Sequence, residues 1–139
     1  MKLVFQKVTK DVGYSIVNAT FKDSPAEENV KRVDSFDVKV MNTFFQRFAG
    51  LQLKKSLLTG TGYYFPRCNS IHCFNMRFPI DVIYFDKDMK VIYIETVKPW
   101  HIGKVVHGGD SLLEINQGES NRVKTALQGS GQLIHNIDK

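Results

Sequence analysis

The stretch that decides the fold of this chain lies between residues 80 and 94. It reads IDVIYF (80–85), DKDMK (86–90) and VIYI (91–94). The two outer runs are rich in β-branched and aromatic residues, and the polar connection between them has the length and composition of a hairpin turn. The first run is apolar at both odd and even positions, which predicts a strand covered on both faces. The stretch therefore predicts a β-hairpin.

Similar short runs lie on either side of this hairpin. Residues 2–17 predict another hairpin, with its turn at Asp11-Val12-Gly13, and residues 22–34 predict a charged surface loop with at most one helical turn. Further strands are predicted at 62–65, 70–74, 111–115 and 132–137, and the second strand of the deciding hairpin extends to Val97. Many short strands with one or two short helices favour a mainly β fold, a small antiparallel β-sandwich or barrel.

The segment 42–51 contains the start and stop signals of a short helix. Thr43 and Gln46 have the spacing of a capping box, and Gly50 supplies the left-handed stop. Three phenylalanines form an apolar face of this predicted helix: Phe44, Phe45 and Phe48. Arg47 lies at the edge of that face. This face requires burial against the sheet.

Composition and charge narrow the class of protein. The chain has 139 residues, of which 42% are hydrophobic and 24% charged, as in an ordinary globular protein, so we expect one domain over residues 1–139. The net charge is +5, but the longest basic runs are pairs, Lys31-Arg32 and Lys54-Lys55. This pattern indicates a solvated, mildly basic surface and disfavours nucleic acid as a partner.

The location of the protein follows from two further features. The sequence lacks an apolar window of membrane-spanning length, and its first thirty residues lack the apolar core of a secretory signal. The two cysteines, Cys68 and Cys73, are too sparse for a disulfide framework. We therefore expect a cytoplasmic protein with free thiols and no membrane association.

The residues around His72 carry the densest chemistry in the chain. Cys68, His72, Cys73 and Met76 are soft ligands that suit copper(I) or zinc. In an extended strand, however, Cys68 and His72 would be roughly 13 Å apart, and Cys73 would face the other way. A bend at Asn69-Ser70 would be needed to bring Cys68 and His72 to a shared metal ion. The same bend would be needed for Cys68 to act as a nucleophile assisted by His72. We therefore predict neither a metal nor a cofactor. A metal site and a nucleophilic cysteine both stay open as alternatives.

Asp81 interrupts an otherwise apolar strand, and this makes it the most informative polar residue. A buried carboxylate is costly unless it is paired, so Arg47 and Arg77 are candidate cations. Alternatively, Asp81 lies at a strand start and accepts bonds from turn amides after Pro79. Glu114, in the strand 111–115, raises the same question and is a candidate member of the same network.

Several of these residues carry a resemblance to a known family. The segments are 43–51, Ser70-Ile71-His72, MRFPIDV (76–82), Phe85-Asp86, Pro99-Trp100, and Leu113-Glu114 followed by Gly118. Over residues 37–137 the chain resembles the uncharacterised ACR family, known as domain of unknown function 192. The resemblance implies a small, mainly β, prokaryotic domain with no established activity. Cys73 departs from a threonine often found at that position, which implies that its thiol is incidental.

The family's motif positions overlap with the residues selected above. A cleft between the short helix and the sheet is predicted, lined by His72, Met76, Asp81 and Trp100, with Arg47 and Glu114 as further ligand-binding candidates. We interpret the protein as a non-catalytic module that binds an unknown small molecule or protein. The alternative is a small hydrolase or metal-assisted enzyme that uses His72 and Asp81 as an acid–base pair. No catalytic residue is assigned.

Overall fold

A computed structural model of the chain describes residues 1–10, 13–22, 28–42, 57–70, 77–128 and 130. Seven strands form one sheet in this part of the chain, and one helix follows them. The strands are β1 (Lys2–Thr9), β2 (Ser15–Thr20), β3 (Val30–Val40), β4 (Thr61–Pro66), β5 (Ile80–Phe85), β6 (Val91–Val97) and β7 (Ser111–Asn116). The helix is α1 (Asn121–Gln128).

The sheet is mixed and strongly curled. Its strand order is β2-β1-β3-β4-β7-β5-β6, and every pair is antiparallel except β3–β4. The two ends of the sheet approach each other, because Asn18 in β2 bridges to Lys90 and the Ala19 amide donates to the Met89 carbonyl at 2.9 Å. The sheet therefore forms a half-barrel, in which curling shields part of the edge that an open sheet would expose.

Apolar side chains cover both faces of β4, β5, β6 and β7. The first cluster, inside the curl, includes Phe5, Phe36, Ile83, Leu113 and Ile115. The second cluster, on the other face, includes Tyr63, Val82, Tyr84, Tyr93 and Leu112. All six residues of β5 are buried, since successive residues of a strand point alternately into the two clusters. The double-sided apolar pattern of residues 80–85 is thereby explained.

Helix α1 closes one side of the first cluster. Val123 and Leu127 are four residues apart, so they lie on one face of the helix, and both are buried in that cluster. The Ser120 carbonyl accepts the first intrahelical bond, from the Lys124 amide at 2.9 Å, which makes Ser120 the N-cap residue. The helix is thus anchored at its N-terminus directly after the turn that follows β7.

The main expectations from the sequence are confirmed. The fold is mainly β, residues 80–97 form the hairpin β5–β6, and β1 and β2 form the N-terminal hairpin. The Asp86 carboxylate holds the β5–β6 turn by accepting the amides of Asp88 and Lys90, each at 2.9 Å. Because this turn is stabilised by its own residues, the sequence alone was enough to predict the hairpin.

Two elements differ from the predictions. The predicted loop 22–34 was wrong at its C-terminal end, because β3 already begins at Val30. In β3, the apolar residues Phe36, Val38 and Val40 occupy every second position, which is the pattern of a strand. The charged residues between them obscured this pattern. Helix α1 was not predicted, although Val123 and Leu127 have helical spacing. The predicted helix 42–51 and the predicted strands 70–74 and 132–137 fall largely or wholly outside the described residues.

A glycine in β4 is required by close packing between strands. A Cβ atom on Gly62 would lie 2.7 Å from the Glu114 carbonyl oxygen and 2.8 Å from Ile115 Cγ2. We expect Gly62→Ala to lower the free energy of unfolding by about 2 kcal/mol, the usual cost of overpacking. Urea denaturation measures this. Gly108→Ala, which has open space but a φ of +82°, is the comparison, with an expected loss of about 1 kcal/mol. Equal stability of Gly62→Ala and the wild type would contradict the packing at this position.

Candidate functional site

Asp81 is buried at the start of β5, with 1% of its surface exposed. Its Oδ1 atom accepts a hydrogen bond from the Thr96 hydroxyl at 2.7 Å. Its Oδ2 atom accepts bonds from the Gly118 amide at 2.9 Å and from the Ser120 hydroxyl and amide at 2.5 and 3.3 Å. Both oxygens are therefore engaged, and the carboxyl group joins β5 to β6 and to the turn before α1.

These donors occupy both oxygens of Asp81, for which the sequence predicted Arg47 or Arg77 as a cation, and Arg47 lies outside the described residues. The Ser120 amide lies at the N-terminus of α1, where the partial positive charge of the helix favours a carboxylate. Among the described residues, no Lys or Arg forms an ion pair with Asp81, and Arg77 is exposed. The alternative prediction, that backbone amides of a turn donate to the Asp81 carboxylate, was correct. The amides, however, are those of Gly118 and Ser120 rather than those of a turn after Pro79.

Glu114 presents the opposite situation. Only 4% of its surface is exposed, and burial raises the pKa of its carboxyl group to about 8. Within the described ranges, no hydrogen bond or opposite charge stabilises the ionised form, so desolvation is the cause of this shift. The carboxyl group is consequently protonated at neutral pH and carries an O–H donor in an apolar setting.

Asp81 and Glu114 do not form the shared network that the sequence suggested. Asp81 lies opposite Ile115 in the β5–β7 register, and Ile115 belongs to the first cluster. Glu114 lies opposite Val82 on one side and Tyr63 on the other, and both belong to the second cluster. The two carboxyl groups therefore lie on opposite faces of the sheet.

A hydrogen-bonded pair lies on the same face as Glu114 and joins Tyr84 of β5 to Glu95 of β6, which is opposite Val82. Glu95 in β6 accepts the Tyr84 hydroxyl at 2.7 Å and the Lys104 amide at 3.0 Å. Burial first, and then the neighbouring Glu95, raise the pKa of Tyr84 well above its ordinary value, so the phenol stays protonated as a donor. Glu95 was not among the predicted site residues, although a charge within the β6 run was a visible signal.

The bond to Lys104 ties this face to the loop 98–110. The loop exposes three large apolar side chains: Trp100, Ile102 and Val105. Trp100 is 62% exposed and has a φ of +64°, a conformation that is uncommon outside glycine. A cavity of about 280 Å³ lies beside the loop and is lined by Glu95, Thr96, Val97, Lys98, His101 and Ile102. Most of the Trp100 surface is thus exposed beside this cavity.

Three of the predicted site residues, Arg47, His72 and Met76, lie outside the described residues, as does Cys73. The chain on either side of their segments packs on the second cluster. Met41 and Leu57 flank residues 43–56, and Cys68 and Phe78 lie close to the ends of residues 71–76. The Cys68 thiol is free and donates to the Ser70 carbonyl at 3.1 Å. These four described residues therefore lie on the face that contains Glu114.

Two further features are absent from the part of the chain that the structure describes. No group of three or more His, Cys, Asp or Glu side chains there has a geometry that could hold a metal ion. In the same ranges, no helix has both the length and the apolar character needed to cross a membrane.

The chain is similar in sequence to proteins of one family. The model of the family described as "Uncharacterized ACR" (domain of unknown function 192) matches residues 26–129. A UPF0127 protein of Thermococcus sibiricus is 34% identical over 85 residues, and one of Thermococcus kodakarensis is 33% identical over 101 residues. These matches cover 58% and 70% of this chain, and 55% and 62% of the respective relatives. The chain thus spans somewhat more than half the length of these relatives.

A solved structure shares the fold. The crystal structure of a protein of unknown function from Novosphingobium aromaticivorans superposes with a TM-score of 0.57 at 21% identity. The match covers 88% of this chain and 79% of that one. At this identity the likeness establishes the curled sheet and nothing about activity.

Proposed function

This chain belongs to the uncharacterised ACR family, and we propose that it acts as a ligand-binding module rather than as a catalyst. The single observation that carries the proposal is Glu114. Its carboxyl group is buried where desolvation disfavours the charged form, and a buried acid of this kind in a native protein calls for an explanation. Since its pKa is near 8, Glu114 can offer an uncharged O–H donor and a carbonyl acceptor to a ligand at neutral pH.

The proposed site lies on the face of the sheet that contains Glu114 and Tyr84. The Tyr84–Glu95–Lys104 bonds support it, because they hold the loop with Trp100 at the margin of this face. Arg47, His72 and Met76 remain predicted site residues, and the flanking packing of Met41, Leu57, Cys68 and Phe78 is consistent with that placement. Asp81 takes a structural role in the proposal, because its oxygens are already occupied.

The enzyme alternative pairs His72 with Asp81 and is less well supported. A general base needs a free lone pair directed at the proton that it removes. The four hydrogen bonds to Asp81 occupy both of its oxygens, on the face opposite Glu114. An acid or base function at this position would require the turn 118–120 to move away.

The test compares the wild type with Glu114→Gln and Glu114→Leu in thermal-shift assays against a metabolite panel at pH 7. Leucine removes the buried polar group, so we expect the free protein to gain stability while every shift caused by a ligand at this site is lost. Glutamine keeps a donor and an acceptor, so it should keep part of the shift. A metabolite that shifts the wild type and Glu114→Leu equally would contradict the site, and so would the absence of any shift across the panel.

Two broader expectations remain predictions. The single domain over residues 1–139 is supported by the one sheet that joins residues from Lys2 to Asn116. The cytoplasmic location is supported by the cysteine content of the sequence, since two cysteines are too few for the disulfide framework of a small secreted domain. Fractionation of cells that produce the full chain tests the location, and recovery from the membrane or the medium would contradict it.

A further inference from the structure

A second cavity lies between β3, the start of β4 and the start of α1. Its volume is about 380 Å³, within the range of small-molecule sites. We call it the mixed-charge cavity, and its lining includes Asp34, Thr59, Gly60, Gly118, Glu119 and Arg122. Two of these residues are acids and one is a cation, so both signs of charge face one small volume.

Glu119 is the strongest indication that the mixed-charge cavity takes a ligand. Its Oε1 atom accepts the Gly60 amide at 2.8 Å, which fixes the side chain at the cavity. Its Oε2 atom is buried and has no hydrogen-bond partner within the described residues. A buried carboxylate oxygen without a donor costs free energy. The torsion about the Cγ–Cδ bond is broad, so a small rotation turns Oε2 towards a donor in the cavity.

Asp34 brings a second carboxylate to the same cavity. It lies opposite Phe5 in the β1–β3 register, and Phe5 belongs to the first cluster, so the Asp34 side chain is on the face that α1 covers. Its Oδ1 atom accepts the Ser35 amide at 2.8 Å, which is a neutral donor. Two carboxylates in one cavity favour a cationic group that donates several hydrogen bonds, such as an ammonium group.

Arg122 favours a zwitterion over a bare metal ion. It lies in the first turn of α1, and within the described residues it forms no ion pair with Asp34 or Glu119. Calcium takes about six to eight oxygen ligands, and a guanidinium group in the same cavity would repel it. A ligand with an ammonium group for the two acids and a carboxylate for Arg122 would satisfy both signs of charge.

Two glycines keep the mixed-charge cavity open. Gly60 and Gly118 have φ values of +78° and +90°, which side chains rarely adopt. A Cβ atom on either glycine would meet no atom within 4 Å, so open space lies where a side chain would begin. The cavity therefore has room for a ligand next to Glu119.

We propose that the mixed-charge cavity binds a free amino acid with a small, neutral, polar side chain. The carboxylates of Asp34 and Glu119 accept hydrogen bonds from its ammonium group. The Arg122 guanidinium group donates to its carboxylate. Thr59 and Asn121, which also line the cavity, provide neutral polar groups for its side chain.

The experiment is calorimetric titration of the full chain with serine, threonine, asparagine and glutamine in turn. We expect at least one of them to bind with a Kd below about 1 mM. For the amino acid that binds most tightly, the N-acetyl derivative lacks the ammonium charge and the α-amide lacks the carboxylate charge. Each derivative should bind at least about tenfold more weakly, because a charged group of the cavity loses its counterpart.

Variants test the residues of the site. Asp34→Asn removes one negative charge, and Glu119→Gln removes the other while it keeps an acceptor for the Gly60 amide. Each should weaken binding at least about tenfold. The matched control is Asp37→Asn, an exposed aspartate on the same strand outside the cavity, which should leave the affinity unchanged. Glu114→Gln should also leave it unchanged, because Asp34 lies on the first-cluster face and Glu114 on the second.

Several results would overturn the proposal. One is a Kd above about 1 mM for all four amino acids, and another is a derivative that binds as tightly as the free amino acid. Equal losses of affinity in Asp34→Asn and Asp37→Asn would indicate a general effect of charge. Calcium that binds and is lost in Asp34→Asn, while the amino acids give no heat, would replace the zwitterion with a metal ion. Thermal shifts that are lost in Glu114→Leu would stand in every case, so the two sites are tested independently.

Discussion

Replacing Asp81 by alanine is expected to lower the free energy of unfolding by about 4 kcal/mol, because four hydrogen bonds lose their acceptor at once. Asp81→Asn should cost only about 1 to 2 kcal/mol. Its amide oxygen can accept the bonds from Gly118 and Ser120, and its NH₂ group can donate to the Thr96 hydroxyl. The difference between the two variants therefore reports the donors that surround the residue.

Urea denaturation at pH 7 measures both variants, with Thr96→Val as the matched control. The control removes one of the four donors, so it should cost about 1 kcal/mol. If a buried cation were the partner of Asp81, asparagine would be nearly as harmful as alanine, since it too would leave the cation unpaired. Similar losses for asparagine and alanine would therefore contradict stabilisation of Asp81 by the donors of residues 118–120.

The second large effect concerns Glu114 and pH. The pKa of its carboxyl group is about 8 in the folded chain against an ordinary value of 4.5, so the folded state holds an extra proton between these values. Stability is therefore expected to fall as the pH rises from 4.5 to 8. At about 1.4 kcal/mol per pH unit, the total contribution is on the order of 4 to 5 kcal/mol. Below this window the carboxyl group is protonated in both states, and its ionisation costs nothing.

Glu114→Gln isolates this contribution. The free energies of unfolding of the wild type and the variant are measured from pH 4.5 to 9, and their difference cancels the other titrating groups. We expect the two proteins to have similar stability at pH 4.5 and the variant to be more stable by several kcal/mol at pH 9. A difference that stays constant with pH would show that Glu114 titrates alike in the folded and unfolded states.

The sequence predicted those features whose cause is local. The hairpin β5–β6 contains its own turn chemistry in Asp86, and residues 80–85 carry the apolar pattern of a doubly covered strand. The burial of Asp81 and Glu114 followed from the same pattern, because each interrupts an apolar run. In both cases the residue and its immediate neighbours held the information.

Features that depend on the curl of the sheet were not accessible from sequence. Three of the four hydrogen bonds to Asp81 come from residues 118–120, which follow β7 and are brought to Asp81 by the β5–β7 pairing, whereas Thr96 lies opposite Asp81 within the β5–β6 hairpin. The β5–β7 register also separates Asp81 from Glu114 by one position, and a shift of one residue changes the face of the sheet.

The most direct test of the proposed binding site is a titration of Glu114 itself. Carbon-13 NMR of glutamate-labelled protein, with the Glu114 signal assigned by its loss in Glu114→Gln, follows the carboxyl group between pH 3 and 10. We expect a carboxyl group that stays protonated at neutral pH and titrates with a pKa near 8. A Glu114 signal that titrates at the ordinary pKa of 4.5 would mean that the carboxylate is solvated or paired, and it would contradict the proposed site.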